Sequence, residues 1–492
     1  MPRKKGGVLL STLVIDKRSR VPYYRQLEES IRRLILNGDL PAGSRLPATR
    51  QLSLDLDVSR ITVKNVYEQL SAEEFLESRP GAGTFVASIS ASELPPVQPR
   101  RHLAAQSWQR LSLRAEKIGQ SKSVTHLGGS TAFRPGVPAL DQFPRRAWAS
   151  AYSRAVRQSH LSTLGYGKPG GEKVLKRAIA DHVRDHRGVN VDPGQIIITA
   201  GAQQAFSLIA FTLLNPGDVV WSEDPGHIAG RDAMRLFGAE VKSVPIDRDG
   251  FELNFAINHY ADARLIFATP SHQHPLGVTM SLNRRLEILE YAQQHGTWIV
   301  EDDYDSEFRY HGRSLSAMHS LDSGGHVLYV GSFSKSMFPA LRLGYLISPP
   351  GMVDSFSAGQ TLLSHTVSPV LQLTLAHFLE DGSYNAHIRK MRALYKVRHD
   401  VLVHHLKTST AGLLEVQPGD AGLHLVAWLV DINKSDLAAA ELIWGSGVDC
   451  LPLSIYADQV KINPGIMLGF ACADENEIST GVNRLGIALQ RL

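Results

Sequence analysis

Cysteine is almost missing from this chain: 492 residues carry two, Cys450 and Cys472. Neither has a companion at metal-ligand spacing. That argues against a zinc cluster or a disulfide framework and predicts a reduced, cytoplasmic setting. Long apolar runs are lacking as well, none approaching the ~18 to 20 residues that span a bilayer. The basic start MPRKKGGVLLSTLVIDK has too short and broken an apolar part for a signal peptide. No internal repeat is visible, and neither charge sign dominates, with 52 Lys and Arg against 48 Asp and Glu. What is left is an ordinary globular composition, 43% hydrophobic and 20% charged, on a chain too long for one core. Two or more domains are expected.

The charge is unevenly placed. Residues 1–125 hold 20 Lys and Arg against 12 Asp and Glu, a net +8, which leaves −4 for the remainder. A basic front on a mildly acidic body suggests that only the front meets a polyanion. Up to about Ala87, helical patterns alternate with turn signals. YYRQLEESIRRLILNG repeats apolar residues at helical spacing and stops at Gly38. PAGSRLPATRQLSLDL turns and then reads as a short helix. VSRITVKNVYEQL follows with Ser59 as N-cap, and FLESRPGAGTFVAS reads as a hairpin. Residues 88–124, rich in Ser, Pro and Arg, read as a linker.

Three helices and a glycine-tipped hairpin make a winged helix-turn-helix, in which the start of the third helix enters the major groove. Ser59, Arg60, Thr62 and Lys64 stand there, with Arg45 and Arg50 just before, and Gly81 and Gly83 on the wing. The bland alternative is a three-helix packing module with an incidental basic surface. The stretch YYRQLEESIRRLILNGDLPAGSRLPATRQLSLDLDVSRITVKNVYEQL…GAGTFV resembles the GntR-type winged helix over its whole length. The resemblance implies double-stranded DNA as partner and contacts from Arg50, Arg60, Thr62, Lys64 and Gly81. Glu74 stands where that family usually has glycine, so a differently arranged start of the wing is expected.

From about Thr125 the texture becomes strand-helix alternation. QIIITAG, DVVWSED, ARLIFATP, TWIVEDD and HVLYVGS are buried-strand runs with helices such as AQQAFSLIAFTLL between them. This predicts an α/β body with a mostly parallel sheet to about residue 350, then a smaller α+β lobe over 351–492. In such sheets ligands sit at the carboxyl ends of the strands. There TAGAQQ offers a glycine and a helix start suited to phosphate. VEDDYDSEFRY offers Asp302, which needs a cationic partner such as a protonated pyridine nitrogen, and Tyr304, which can bond a ring hydroxyl. GSFSKSMFPALRLGYL offers Lys335 for a Schiff base, with Ser332, Ser334 and Arg342 as phosphate ligands. Singly, each could be a solvated turn.

Together with WSEDPGH and TPSHQHPLG, these stretches resemble fold type I aminotransferases, and more closely the aminotransferase-like body of the MocR/GabR regulators. The resemblance spans nearly the whole chain. It implies pyridoxal 5'-phosphate as cofactor, linked to Lys335, with Asp302 at the ring nitrogen and Tyr304 at the ring hydroxyl. Gly201, Ala202, Gln203, Ser332 and Arg342 would surround the phosphate. His227 replaces the aromatic, often tyrosine, that stacks on the ring. A homodimer with domains exchanged head to tail is implied too, reading paired half-sites.

Two functions follow, a regulator sensing pyridoxal phosphate or an amine, and an aminotransferase with a DNA-binding appendage. A transaminase holds its substrate carboxylate with an arginine near the end of the small lobe, and Met467 occupies that position here. Arg231 is the nearest substitute in sequence. Regulation without turnover is the favoured expectation.

Overall fold

Leu27 and Ile31, one turn apart on α1 (Tyr23–Leu36), are both fully buried, which is why this face of the segment winds into a helix against its neighbours. The computed structural model describes residues 13, 15–88, 112, 132–310, 315–417 and 419–492. The chain divides into two compact units, Met1–Leu111 and Ser112–Leu492. Most of the expected linker, and the expected start of the body at Thr125, lie outside the described residues.

In the first unit α2 (Thr49–Asp55) and α3 (Arg60–Ala72) close over Leu27 and Ile31 with Leu52, Val63, Val66 and Leu70. The Ser59 hydroxyl caps α3 by accepting the Thr62 backbone N–H at 3.0 Å, a bond worth about 1 kcal/mol. β1 (Leu76–Arg79) and β2 (Gly83–Val86) form the antiparallel wing. Glu74 corrects the expectation of a rearranged wing: it adopts φ +62, the left-handed conformation a glycine would take. The turn is kept, at a strain of roughly 1–2 kcal/mol.

The second unit is built on β3 (Ile196–Thr199), β4 (Val219–Asp224), β5 (Glu240–Asp247), β6 (Gly250–Phe251), β7 (Leu265–Ala268), β8 (Trp298–Asp303), β9 (Val327–Ser332) and β10 (Gly344–Ile347). Their order across the sheet is β3-β10-β9-β8-β7-β4-β5-β6. β5, β4, β7, β8 and β9 run parallel, and β10 is antiparallel to both its neighbours. Alternation sends Val220 and Phe267 to one face, against Phe206 of helix Ala202–Leu213. It sends Trp221 and Ile266 to the other face, against Ile288 of helix Leu282–His295. Both faces are apolar, so the strands read as unbroken hydrophobic runs.

The smaller antiparallel sheet has the order β11-β12-β14-β13, from β11 (Leu414–Gln417), β12 (His424–Leu429), β13 (Leu451–Pro452) and β14 (Gly465–Gly469). Helices Ser383–Ser409 and Glu475–Leu489 cover it. Helix Val353–Ser364, which sequence order groups with this lobe, instead buries Phe356 in the core of the large sheet beside Phe206 and Leu346. No helix among the described residues is long and apolar enough to cross a membrane.

Candidate functional site

The strand ends of the large sheet and one edge of the small lobe enclose a cavity of about 380 Å³. All ten residues singled out from the sequence line it: Gly201, Ala202, Gln203, His227, Asp302, Tyr304, Ser332, Ser334, Lys335 and Arg342. Each is delivered by the local fold. Gly201, at φ +91, turns the chain from β3 into helix Ala202–Leu213, whose first backbone N–H groups have no partner inside the helix. The Gln203 side chain turns aside to donate to the Ala229 carbonyl at 3.1 Å. Ser332 ends β9, and its Oγ accepts the Ser334 N–H at 3.2 Å. Arg342 follows a short 3-10 turn at φ +51, a strained value for an arginine that holds it beside Gly201.

Strand alternation separates the two aspartates of β8. Asp303 points away from the cavity and pairs with Arg187 Nε at 2.7 Å, while the Tyr329 hydroxyl also donates to it. Asp302 points inward. Its Oδ1 is buried with no hydrogen-bond partner, and Oδ2 lies 3.5 Å from His227 Nδ1, which makes no hydrogen bond either. Burial, then Asp303 and Glu223, push the Asp302 pKa well up. His227 is pushed down to about 4, by burial first and then by Lys335 and Arg231. Its ring contacts Phe206, Phe267 and His274. An acceptor without a donor, at the floor of a cavity, fits a protonated ring nitrogen.

Burial likewise lowers the Lys335 pKa, with Asp305 and Asp302 opposing, so the free-amine form is favoured relative to a solvated lysine. Its Nζ donates to the Gly136 carbonyl at 2.8 Å. Gly136 belongs to a strap, residues 132–136, laid over the small lobe. The Asp449 N–H donates to Ala132 at 3.1 Å and the Gly469 N–H to Phe133 at 2.9 Å. Phe133 is fully buried at φ +63, so the strap is held in a conformation an unpacked chain would leave.

Sequence reasoning passed over several cavity residues. Gly136 carried no signal. His274 sat in the quoted TPSHQHPLG without being singled out, as did His272, which bonds Tyr304 from outside the cavity lining. Asp305, His424 and Tyr456 come from separate elements. The Tyr304 hydroxyl meets His272 Nδ1 at 3.1 Å, and that nitrogen lies 2.9 Å from Asp305 Oδ2. Gly422 packs on this ring: a Cβ there would fall 2.1 Å from His272 Cε1. Met467, on β14 between Val426 and Leu451, is buried and lines the cavity. Arg231 does not line it and is no substitute clamp. Its Nη1 donates to the Tyr456 carbonyl at 3.3 Å and lies 4.0 Å from the Asp224 carboxylate.

On the first unit, Arg45, Arg50, Ser59, Arg60, Lys64 and Gly81 are exposed and Thr62 is partly so. Arg60 Nε reaches Thr49 Oγ1 at 3.4 Å, and Lys64 lies 3.4 Å from Glu68. Gly81, at φ +74, is in the turn of the wing. Arg45 lies against Gly83, and Arg79, which the sequence reading omitted, stacks on Phe85 at 4.6 Å.

Comparison with known proteins places both units. Residues 136–480 match the family model Aminotransferase class I and II, and residues 23–86 match Bacterial regulatory proteins, gntR family. The chain is 38% identical to the probable rhizopine catabolism regulatory protein MocR of Rhizobium meliloti, over 98% of this chain and 96% of that one. It is 32% identical to the HTH-type pyridoxine biosynthesis transcriptional regulator PdxR of Corynebacterium glutamicum, over 92% and 93%. The crystal structure of the alpha-aminoadipate aminotransferase LysN from Thermus thermophilus, complexed with N-(5'-phosphopyridoxyl)-L-leucine, matches with a TM-score of 0.71 at 25% identity, over 77% of this chain and 97% of that one. Kynurenine aminotransferase of Pyrococcus horikoshii matches at 0.68 and 24%, over 80% and 97%, which bears on the fold alone. A gntR-family head on a fold type I aminotransferase body defines a transcriptional regulator with an aminotransferase-like domain. The chain belongs to the MocR-type family of these regulators.

Proposed function

We propose that this regulator binds pyridoxal 5'-phosphate on Lys335 and reports the presence of that cofactor, or of an amine that reacts with it, to an operator. The observation that carries the reading is Asp302 Oδ1, a buried acceptor with no donor at the floor of the cavity. The cofactor supplies an electrophilic aldehyde and an electron-withdrawing ring. Asp302 would hold the ring nitrogen and Tyr304 the ring hydroxyl, with His227 against the ring face. Gly201, Ala202, Gln203, Ser332, Ser334 and Arg342 would hold the phosphate through backbone N–H groups, hydroxyls and guanidinium. Lys335, partly desolvated, supplies the amine. The test is a visible absorbance spectrum of the purified protein, then borohydride reduction and peptide mapping. Label on the Lys335 peptide is expected. A visible cofactor band that persists in Lys335→Ala refutes the assignment of that lysine.

The DNA-binding head is taken as residues 1–87, the linker as 88–124 and the body as 125–492. Arg45, Arg50, Ser59, Arg60, Thr62, Lys64 and Gly81 would contact the operator, phosphates through the cations and base edges from the start of α3. A homodimer reading paired half-sites, its domains exchanged head to tail, completes the proposal. It is supported by exposed Leu161, Leu164, Tyr166 and Leu362 on the body, apolar side chains a monomer gains nothing by displaying. The Tyr166 ring lies 6.0 Å from that of His365, whose neighbour Ser364 accepts a bond from Gln204, the residue after Gln203.

The competing reading, a working aminotransferase, is disfavoured by Met467. A substrate carboxylate would find no guanidinium at that position to orient it. Keto acid formed from an amino acid, with conversion of the cofactor to its amine form, would reinstate the enzyme.

A further inference from the structure

The cavity wall contributed by the small lobe differs from the rest. It consists of Leu423, His424, Leu451, Ile455, Tyr456 and Met467. His274 meets it from the loop after β7, its ring 5.0 Å from that of Tyr456 and 5.6 Å from that of His424. Lysine and arginine among the lining residues are confined to Lys335 and Arg342, both already engaged with the cofactor in the reading above. Arg231, which lies outside the lining, is occupied by the Tyr456 carbonyl and Asp224. Burial pushes His274 well below the ordinary imidazole range and His424 to about 3, so both rings are neutral at neutral pH. A carboxylate arriving here would lose its water with no cation to receive it.

The neutral rings still offer directed hydrogen bonds. His424 Nε2 lies 3.1 Å from the Pro275 carbonyl, so Nε2 carries the proton and Nδ1 remains an acceptor. His274 Nδ1 is buried without a hydrogen-bond partner. Tyr456 adds a phenol and Met467 an apolar floor. Such a set favours hydroxyl or amide groups and rejects ions.

Resting on the reading that Lys335 carries pyridoxal phosphate, we propose that the effector is a primary amine with no acid group, its neutral hydrogen-bonding tail received by His274, His424 and Tyr456 against Met467. The exchange balances without an oxidant or reductant. The effector nitrogen forms the double bond to the aldehyde carbon as the Lys335 nitrogen leaves it. The two protons shed by the incoming amine end on the Lys335 amine.

The test titrates the cofactor-loaded, full-length protein with propanolamine and β-alanine, which differ only by an alcohol in place of the carboxylate. Visible absorbance and operator affinity are both followed. Propanolamine is expected to shift the band at a concentration about tenfold lower or better, the scale of one well-placed hydrogen bond. Met467→Arg is expected to reverse the order, and His274→Phe to raise the propanolamine requirement about tenfold. Equal or better response to β-alanine in the wild type overturns the proposal, as does an unaltered propanolamine response in His274→Phe. A protein whose visible band is present but unmoved by either amine sinks the proposal and leaves the cofactor reading standing. A protein that takes up no cofactor sinks both.

Discussion

His272 Nδ1 stands 2.9 Å from Asp305 Oδ2, and the Tyr304 hydroxyl approaches the same nitrogen at 3.1 Å. One nitrogen carries one proton, and the buried carboxylate is the stronger acceptor. The Tyr304 proton is therefore left for the cavity side, where in the proposed reading it would favour the ionised ring oxygen of a bound cofactor. Asp305→Asn removes the charge and lets the imidazole present a lone pair to Tyr304 instead. The pKa read from the visible absorbance of the cofactor-loaded protein is expected to rise by about one unit, since the ring oxygen loses its donor. A pH titration decides, and an unmoved midpoint would separate Tyr304 from the pair.

Gly136 has φ +71, and a Cβ there would lie 2.6 Å from Lys335 Nζ. Gly136→Ala is strained twice, in its backbone and against the amine. Cofactor retention is expected to fall at least about tenfold, for which roughly 1.4 kcal/mol of strain suffices. Absorbance after gel filtration measures it. Operator binding by the separate head should survive, and an unchanged far-ultraviolet circular dichroism spectrum would show that the body has folded.

Lys64 is exposed and lies 3.4 Å from Glu68, four residues on along α3, an exposed pair of little worth that leaves the ammonium available. If Lys64 meets a phosphate, Lys64→Ala lowers the slope of log affinity on log salt by about 0.9 for each phosphate it no longer neutralises. Binding measured over a salt series tests this. A parallel line with the same slope removes Lys64 from the interface.

His387 Nε2 donates to the Ser336 carbonyl at 3.1 Å, one residue beyond Lys335. Burial pushes its pKa from the ordinary 6.5 down to about 4. Between those values the unfolded chain binds more protons than the folded one. Stability is thus complete above pH 6.5 and is lost as pH falls toward 4, by about 2 kcal/mol at pH 5 from this group. The melting temperature of the full chain should drop between pH 7 and 5, and drop less in His387→Gln. His227 and His424, depressed to about 4 and 3, act in the same direction and preserve part of the drop. Equal drops in both proteins would exclude His387.

β3, β4, β7, β8 and β9 were legible because burial on both faces leaves long apolar runs such as TWIV and HVLYV, whereas β5, EVKSVPID, has no such run and was missed. β10, only Gly344–Ile347, hid at the end of GSFSKSMFPALRLGYL and one residue past it, where the polar residues drew attention to chemistry. Helix Val353–Ser364 was placed with the wrong neighbours, since periodicity reports that a face is buried and not against what. In the site, Lys335, Asp302 and Tyr304 were legible because a strand's end is a fixed address in an open sheet. His274, His424 and Tyr456 have no such address. They meet only when the small lobe closes on the large one, which no local pattern encodes. Glu74 shows the reverse error. A departure from the expected glycine implied a changed turn, and the backbone accepts strain to keep it.

The strap of residues 132–136 has one more consequence. Two of its carbonyls are tied to the small lobe while a third is held by the Lys335 amine. That amine cannot keep the same bond to Gly136 once its nitrogen is covalently engaged. In the proposed reading, occupancy at that single nitrogen would release the strap's bond to Lys335 while its two bonds to the small lobe stay.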